Sequence, residues 1–205
     1  MTGILALDIE TSNYSHEIGG WGNTHLFEPS VVATWDGENS TVYCQKHAEI
    51  EREMPDDIVI KNLHPKTLGK DLEKHIEAGG RLLGHNIVKF DLPILRDSLD
   101  CWTASDILSK SKATIIDTSV ILRSVTGHSV PLSDAVGHTL GRDKLMSSHD
   151  APLEWRRGQY GKVAKYCLDD AKLVYDLWAH GNDEGFVKSR SRETGEVMEY
   201  EVQWE

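Results

Sequence analysis

The chain has 205 residues, 39% of them hydrophobic and 27% charged, a composition expected of a soluble globular protein with enough chain to bury a sizeable core. No apolar run approaches the length that crosses a bilayer, and no basic stretch followed by an apolar core opens the chain. No membrane partner and no secretory leader are therefore expected, and the predicted compartment is cytoplasmic. The net charge of −11 weighs against any partner held mainly by Lys and Arg on phosphates.

Three cysteines, Cys44, Cys101 and Cys167, are far apart and odd in number, which argues against a disulfide framework or a zinc knuckle. The ten histidines lack the short paired spacing of a zinc site and are expected on the surface or in loops.

Residues 3–10 read as a central buried strand. Residues 11–25, rich in Gly, Asn, Ser and His, read as a loop or insertion. Two β-rich runs follow, 31–35 and 41–44, joined by the hairpin signal Asp36-Gly37-Glu38-Asn39. Leu68, Leu72 and Ile76, four apart, predict a helix over 66–78 that Gly79-Gly80 stops. A short strand over 81–84 delivers His85 and Asn86 to its end, and a helix over 90–99 accommodates Pro93 in its first turn.

Residues 114–118 read as a further strand, with a turn of helix over 120–124 and a helix over 131–140 ended by Gly141. Val163, Ala164, Cys167, Ala171, Val174 and Leu177 mark a long helix over 160–180. The tail, 185–204, alternates around Glu193-Thr194-Gly195-Glu196 and reads as a β-hairpin. No repeat, low-complexity tract or linker divides the chain, so one domain over 1–205 is predicted. A three-stranded antiparallel start followed by strands alternating with helices predicts an α/β layer.

Four acids in three separated stretches carry the chemistry. Alternation along Ile4-Leu5-Ala6-Leu7-Asp8-Ile9-Glu10 puts Asp8 and Glu10 on one face of the strand. Two such carboxylates repel each other unless solvent or a cation lies between them, and a strand buried on both sides is a costly place for an unmatched pair. Asp91 follows in Asn86-Ile87-Val88-Lys89-Phe90-Asp91, and Asp170 closes Tyr166-Cys167-Leu168-Asp169-Asp170. Tyr166 and Asp170 are one helical turn apart on one face. Taken singly, Asp91 reads as an ordinary first-turn acid and Tyr166 as core packing.

In this order the three stretches resemble the motifs of the DEDD superfamily of 3′–5′ exonucleases in its tyrosine-bearing branch. Asp8 and Glu10 match Asp-x-Glu, Asn86, Phe90 and Asp91 match Asn-x-x-x-Phe-Asp, and Tyr166 and Asp170 match Tyr-x-x-x-Asp. The exonuclease domain of family B DNA polymerases is the most similar group, chiefly through Gly84-His85-Asn86-Ile87 and Phe90-Asp91-Leu92-Pro93. The spacing of the motif selects Asp170 over Asp169.

The resemblance implies an RNase H-like mixed sheet, antiparallel at its start and parallel after it, flanked by helices and followed here by the C-terminal hairpin. It implies stepwise hydrolysis of single-stranded nucleic acid from the 3′ end, DNA favoured and RNA admitted, with nucleoside 5′-monophosphates as product. Asp8, Glu10, Asp91 and Asp170 would hold two divalent cations, Mg²⁺ or Mn²⁺, since hard oxygen ligands suit these ions better than zinc. Tyr166 would orient the attacking water. Thr11, His85, Asn86 and Phe90 are the candidate substrate contacts. A helicase, a polymerase or another replication or repair protein would suit such an activity as partner. Two other readings stay open: a non-catalytic nucleic-acid-binding module, and an RNase H-fold endonuclease.

Overall fold

The computed structural model of the chain describes residues 3–110 and 112–204. Its central strand β1 (Ile4–Thr11) pairs antiparallel with β2 (Pro29–Trp35), which pairs antiparallel with β3 (Ser40–Cys44). A short parallel strand, β4 (Val59–Asn62), extends β3 at the edge. On its other side β1 pairs parallel with β5 (Arg81–Gly84), and β5 pairs parallel with β6 (Ile115–Asp117). The six-stranded order is β4-β3-β2-β1-β5-β6. This is the expected mixed sheet, antiparallel first and parallel after. The expected hairpin is a separate sheet of β7 (Phe186–Arg190) and β8 (Val197–Glu201).

In chain order the helices are α1 (His47–Glu51), α2 (Pro65–Glu77), α3 (Asp91–Asp97), α4 (Trp102–Lys110), α5 (Thr118–Thr126), α6 (Leu132–Leu140), α7 (Ala151–Arg156) and α8 (Tyr160–Glu184). Period-two alternation along β1 divides them between the two faces of the sheet. Ile4 and Ala6 share a core with Ala171, Val174 and Leu177 of α8. Leu7 and Ile9 point the other way, into a core with Leu68 and Leu72 of α2, Leu92 and Leu95 of α3, and Ala104 and Ile107 of α4. Val31, Ala33 and Val42 extend the α8 side, packed with Val163, Ala164, Tyr166 and Cys167. The strand that bears the paired acids is thus enclosed by helices on both faces.

The ends of the elements follow local chemistry. The side chain of Asp117 accepts from the backbone N–H groups of Ser119 and Val120, so α5 starts at once after β6 and is longer than the predicted turn. Helix α8 runs on past His180 to Gly185, whose φ of +80° supplies the left-handed stop. The sequence patterns do not reveal β4, α1, α4 or α7. β4 and α1 are too short for a period, and α7 has only six residues. Helix α4 buries Ala104 and Ile107 but leaves Trp102 exposed, which blurs its apolar stripe. Among the described residues no helix is long and apolar enough to cross a membrane.

Candidate metal centre

Asp8 and Glu10 lie at the C-terminal end of β1, on the face that α8 covers. The ladder with β2 shifts register between Glu10 and Thr11, where Ser30 of β2 is the extra residue, just past the acids. Ser30 ties the bulge down by donating to the Glu10 carbonyl at 3.0 Å.

The neighbouring parallel strand delivers the second acid through a tight turn. At Gly84 a Cβ would stand 2.6 Å from that of Ile87, so only glycine lets the chain fold back there. Asn86 takes a left-handed φ of +70°, which asparagine tolerates better than most residues. The buried carboxylate of Asp117 clamps this turn, accepting from Asn86 N–H at 2.9 Å and Val88 N–H at 3.1 Å. Asp91 then opens α3 and is buried at the helix N-terminus.

Helix α8 brings the third stretch across the sheet. The Cys167 thiol donates to the Asp8 carbonyl at 3.4 Å and so fixes the helix against β1. One turn of α8 carries Tyr166, fully buried, and Asp170, which is 3% exposed. Ligand oxygens of Asp8, Glu10 and Asp170 all lie within 4.8 Å of one another. Asp91 lies outside this trio but lines the same cleft, of about 400 Å³. Asp169 turns outward to Arg142, whose guanidinium stands 3.7 Å from its carboxylate.

Burial raises the pKa of every acid in the group, and mutual repulsion raises it further. Asp8 is lifted well above the ordinary range by burial first, then by Asp170, Glu10 and Asp91. Glu10 and Asp170 are raised chiefly by burial too, with the Lys144 ammonium opposing. Asp91 is pushed up to about 8 by burial, with Asp117 and Asp170 adding, against backbone N–H groups that favour its charged form. The Tyr166 hydroxyl is driven far above its usual value by burial and by Asp170, Glu10 and Asp8.

Lys144 is a residue of the centre that sequence reasoning missed. Its ammonium lies 2.5 Å from Asp170 Oδ2 and 5.0 Å from the centre of the Tyr166 ring. It comes from the irregular segment after α6, where neither periodicity nor motif marks it; a lone lysine in a loop carries no signal. A cation there answers the charge of the trio in part. Yet among the described residues Asp8 Oδ2, Asp170 Oδ1 and the Tyr166 hydroxyl are buried without a partner in ordinary hydrogen-bond geometry. Buried carboxylate oxygens left this way are costly unless a further cation or water meets them. Hard oxygen donors, close together and short of partners, fit a divalent ion such as Mg²⁺ or Mn²⁺.

The other predicted contacts separate on inspection. Thr11 is buried, with its hydroxyl donated to the Asn13 carbonyl. His85 spends both ring nitrogens inside the protein, on Thr118 Oγ1 at 2.9 Å and the Val130 carbonyl at 3.0 Å. Burial lowers its pKa to about 4, so it is a neutral strut that also lines the cleft. Asn86 and Phe90 line the cleft as well.

These shifts set a direction for stability against pH. Acids raised in the folded state hold protons that the unfolded chain has released, so their contribution is present at low pH and is lost as pH climbs to the raised values. His85, depressed to about 4, works oppositely up to its ordinary 6.5. Between pH 6.5 and about 8, where Asp91 titrates, the acids no longer meet the opposing effect of His85. In EDTA the melting temperature should fall across that window, and excess Mn²⁺ should abolish the fall. Scanning calorimetry measures both; an EDTA curve that rises with pH there would contradict the protonated acids.

Searches among known proteins give no assignment: no family model matches the chain, and no curated protein matches it either.

Proposed function

We propose that the chain is a metal-dependent 3′–5′ exonuclease that hydrolyses single-stranded nucleic acid, DNA favoured, to nucleoside 5′-monophosphates. The observation that carries this reading is the meeting of Asp8, Glu10 and Asp170, from opposite ends of the chain, with ligand oxygens within 4.8 Å. Motif order and spacing support the same reading, since the residues that meet are those the motifs select.

Asp8, Glu10 and Asp170 would hold one divalent cation, and Asp8 with Asp91 a second. Bound there, the ions would supply the Lewis-acid charge that activates a water and steadies the departing 3′ oxygen. The chain itself contributes position and proton control. Burial and the neighbouring acids drive the Tyr166 pKa upward, which favours its hydroxyl as a hydrogen-bond donor over a phenolate base. That hydroxyl, buried beside the acids and, among the described residues, without a partner in ordinary hydrogen-bond geometry, is left to orient the attacking water by a hydrogen bond. Lys144 places a positive charge on a cleft floor where a phosphate would otherwise meet carboxylates alone.

The test uses 5′- and 3′-labelled DNA and RNA oligomers, single- and double-stranded, with Mg²⁺, Mn²⁺ or EDTA, together with a closed single-stranded circle. A 5′-labelled strand should shorten stepwise, a circle should survive, and EDTA should stop the reaction. Cutting of the circle would make the protein an endonuclease instead. Absence of turnover on every substrate with either metal would leave a non-catalytic module and overturn the proposal.

A further inference from the structure

The loop between β1 and β2 carries an aromatic surface that hydrolysis itself does not use. Trp21 is 66% exposed, an unusual state for the largest apolar side chain in an anchored segment. Its ring packs on Phe90 (centroids 5.5 Å apart) and on Phe27 (5.9 Å), and Phe27 meets Phe90 edge to face. Tyr14 stacks on His16 at 5.0 Å and lies 5.2 Å from His149. All six rings line the cleft whose floor carries Asp8, Glu10, Asp91 and Asp170.

The loop is tied down at several points rather than merely draped. Arg156 grips Glu17 with two hydrogen bonds of 2.6 and 2.8 Å and donates to the Ser12 carbonyl. The Asn13 amide bridges the loop to its own far end, donating to the Leu26 carbonyl at 2.8 Å and accepting from Glu28 N–H at 3.0 Å. Thr24 donates to Asp97, and Ser98 donates to the Phe27 carbonyl at 2.5 Å. Both sets of rings are therefore held in place while Trp21 still presents most of its surface to water.

An anchored, exposed aromatic surface beside an acidic floor suits one kind of occupant. Bases of a single strand have apolar faces that stack on such rings, whereas paired bases hide those faces in the duplex. Stacking also suits a chain of net charge −11, because it draws on no basic surface. We propose that Trp21 in this loop is a stacking surface for a nucleobase of the strand that the cleft holds. The inference rests on the nucleic-acid reading of the cleft, but its test reads binding without turnover.

The probe is a short 5′-labelled oligodeoxynucleotide, titrated against the full chain in EDTA and in Ca²⁺, beside an otherwise identical oligomer with abasic 3′-terminal residues. Base–aromatic stacking implies that the intact oligomer binds about five- to a hundredfold tighter than the abasic one. Trp21→Ala should bind both oligomers alike, at the level of the abasic one, and Trp21→Phe should restore most of the difference. A structural role would weaken both oligomers equally and leave their ratio intact. Since the comparison of oligomers on the unaltered protein needs no variant, misfolding of Trp21→Ala cannot blunt it. Equal affinity for intact and abasic ends, or no binding of either, overturns the inference. Stepwise hydrolysis combined with equal affinities would sink the subsite and spare the exonuclease; a clear preference without hydrolysis would do the reverse.

Discussion

Asp8→Asn and Asp170→Asn should each lower the proposed exonuclease turnover by about a thousandfold or more, a loss of roughly 4 kcal/mol of transition-state stabilisation. Each exchange keeps the size of the side chain and removes one of the three charges that meet within 4.8 Å. Their effects on the metal-free fold should differ. Without Asp8 the remaining acids repel less, so the melting temperature in EDTA should hold or rise. Without the Asp170 charge the Lys144 ammonium, 16% exposed, loses its ion-pair partner, and the melting temperature should not rise. Glu10→Ala and Asp91→Ala should follow Asp8 in activity. Asp169→Ala, which removes the carboxylate that faces Arg142, should stay within a few-fold of the parent. Steady-state rates with Mn²⁺ and calorimetry in EDTA check the set, and an inactive Asp169→Ala beside an active Asp170→Ala would refute the assignment.

Tyr166→Phe should cost about ten- to a hundredfold in activity. The ring is fully buried among Val31, Ala33 and Val163, and phenylalanine keeps that packing. Only the hydroxyl goes; among the described residues it meets no partner in ordinary hydrogen-bond geometry, although it stands near enough to Asp170 to lower that acid's pKa. One hydrogen bond to a charged or developing-charge group contributes roughly 1.5–3 kcal/mol, which is the stated range of rates. Melting temperature in EDTA and Mn²⁺ affinity by calorimetric titration should barely change. A phenylalanine variant as active as the parent across pH would make the tyrosine a packing residue.

Much of this arrangement is legible in the sequence because it rests on periodicity and spacing. Alternation in β1 places Asp8 and Glu10 on one face, and a four-residue step in α8 places Tyr166 above Asp170; backbone geometry alone dictates both. The turn after β5 is marked by Gly84 and Asn86, residues suited to close approach and to positive φ. Lys144 and Asp117 act through space, from a loop and from the end of a short strand, and no local pattern distinguishes them from any other lysine or aspartate. Likewise His85 reads as a substrate contact beside the motif asparagine. Its two internal hydrogen bonds depend on Thr118 and Val130, which only the folded chain brings near. Trp21 sits in a stretch that reads simply as loop, and its exposure is a property of the anchored surface.

The contact between the Cys167 thiol and the Asp8 carbonyl joins residues 159 apart in the chain. Closing so long a loop costs entropy before any contact repays it, and such contacts slow folding. Strands β1, β2 and β3 can pair as soon as they are made, but α8 emerges from the ribosome only after all six strands of the main sheet. Until it docks, Asp8 and Glu10 face water and their repulsion costs little. The electrostatic cost of gathering the three acids therefore arises only when α8 docks on the sheet. A nascent chain lacking α8 has neither Tyr166 nor Asp170, and so cannot assemble the centre beside the messenger from which it is being read.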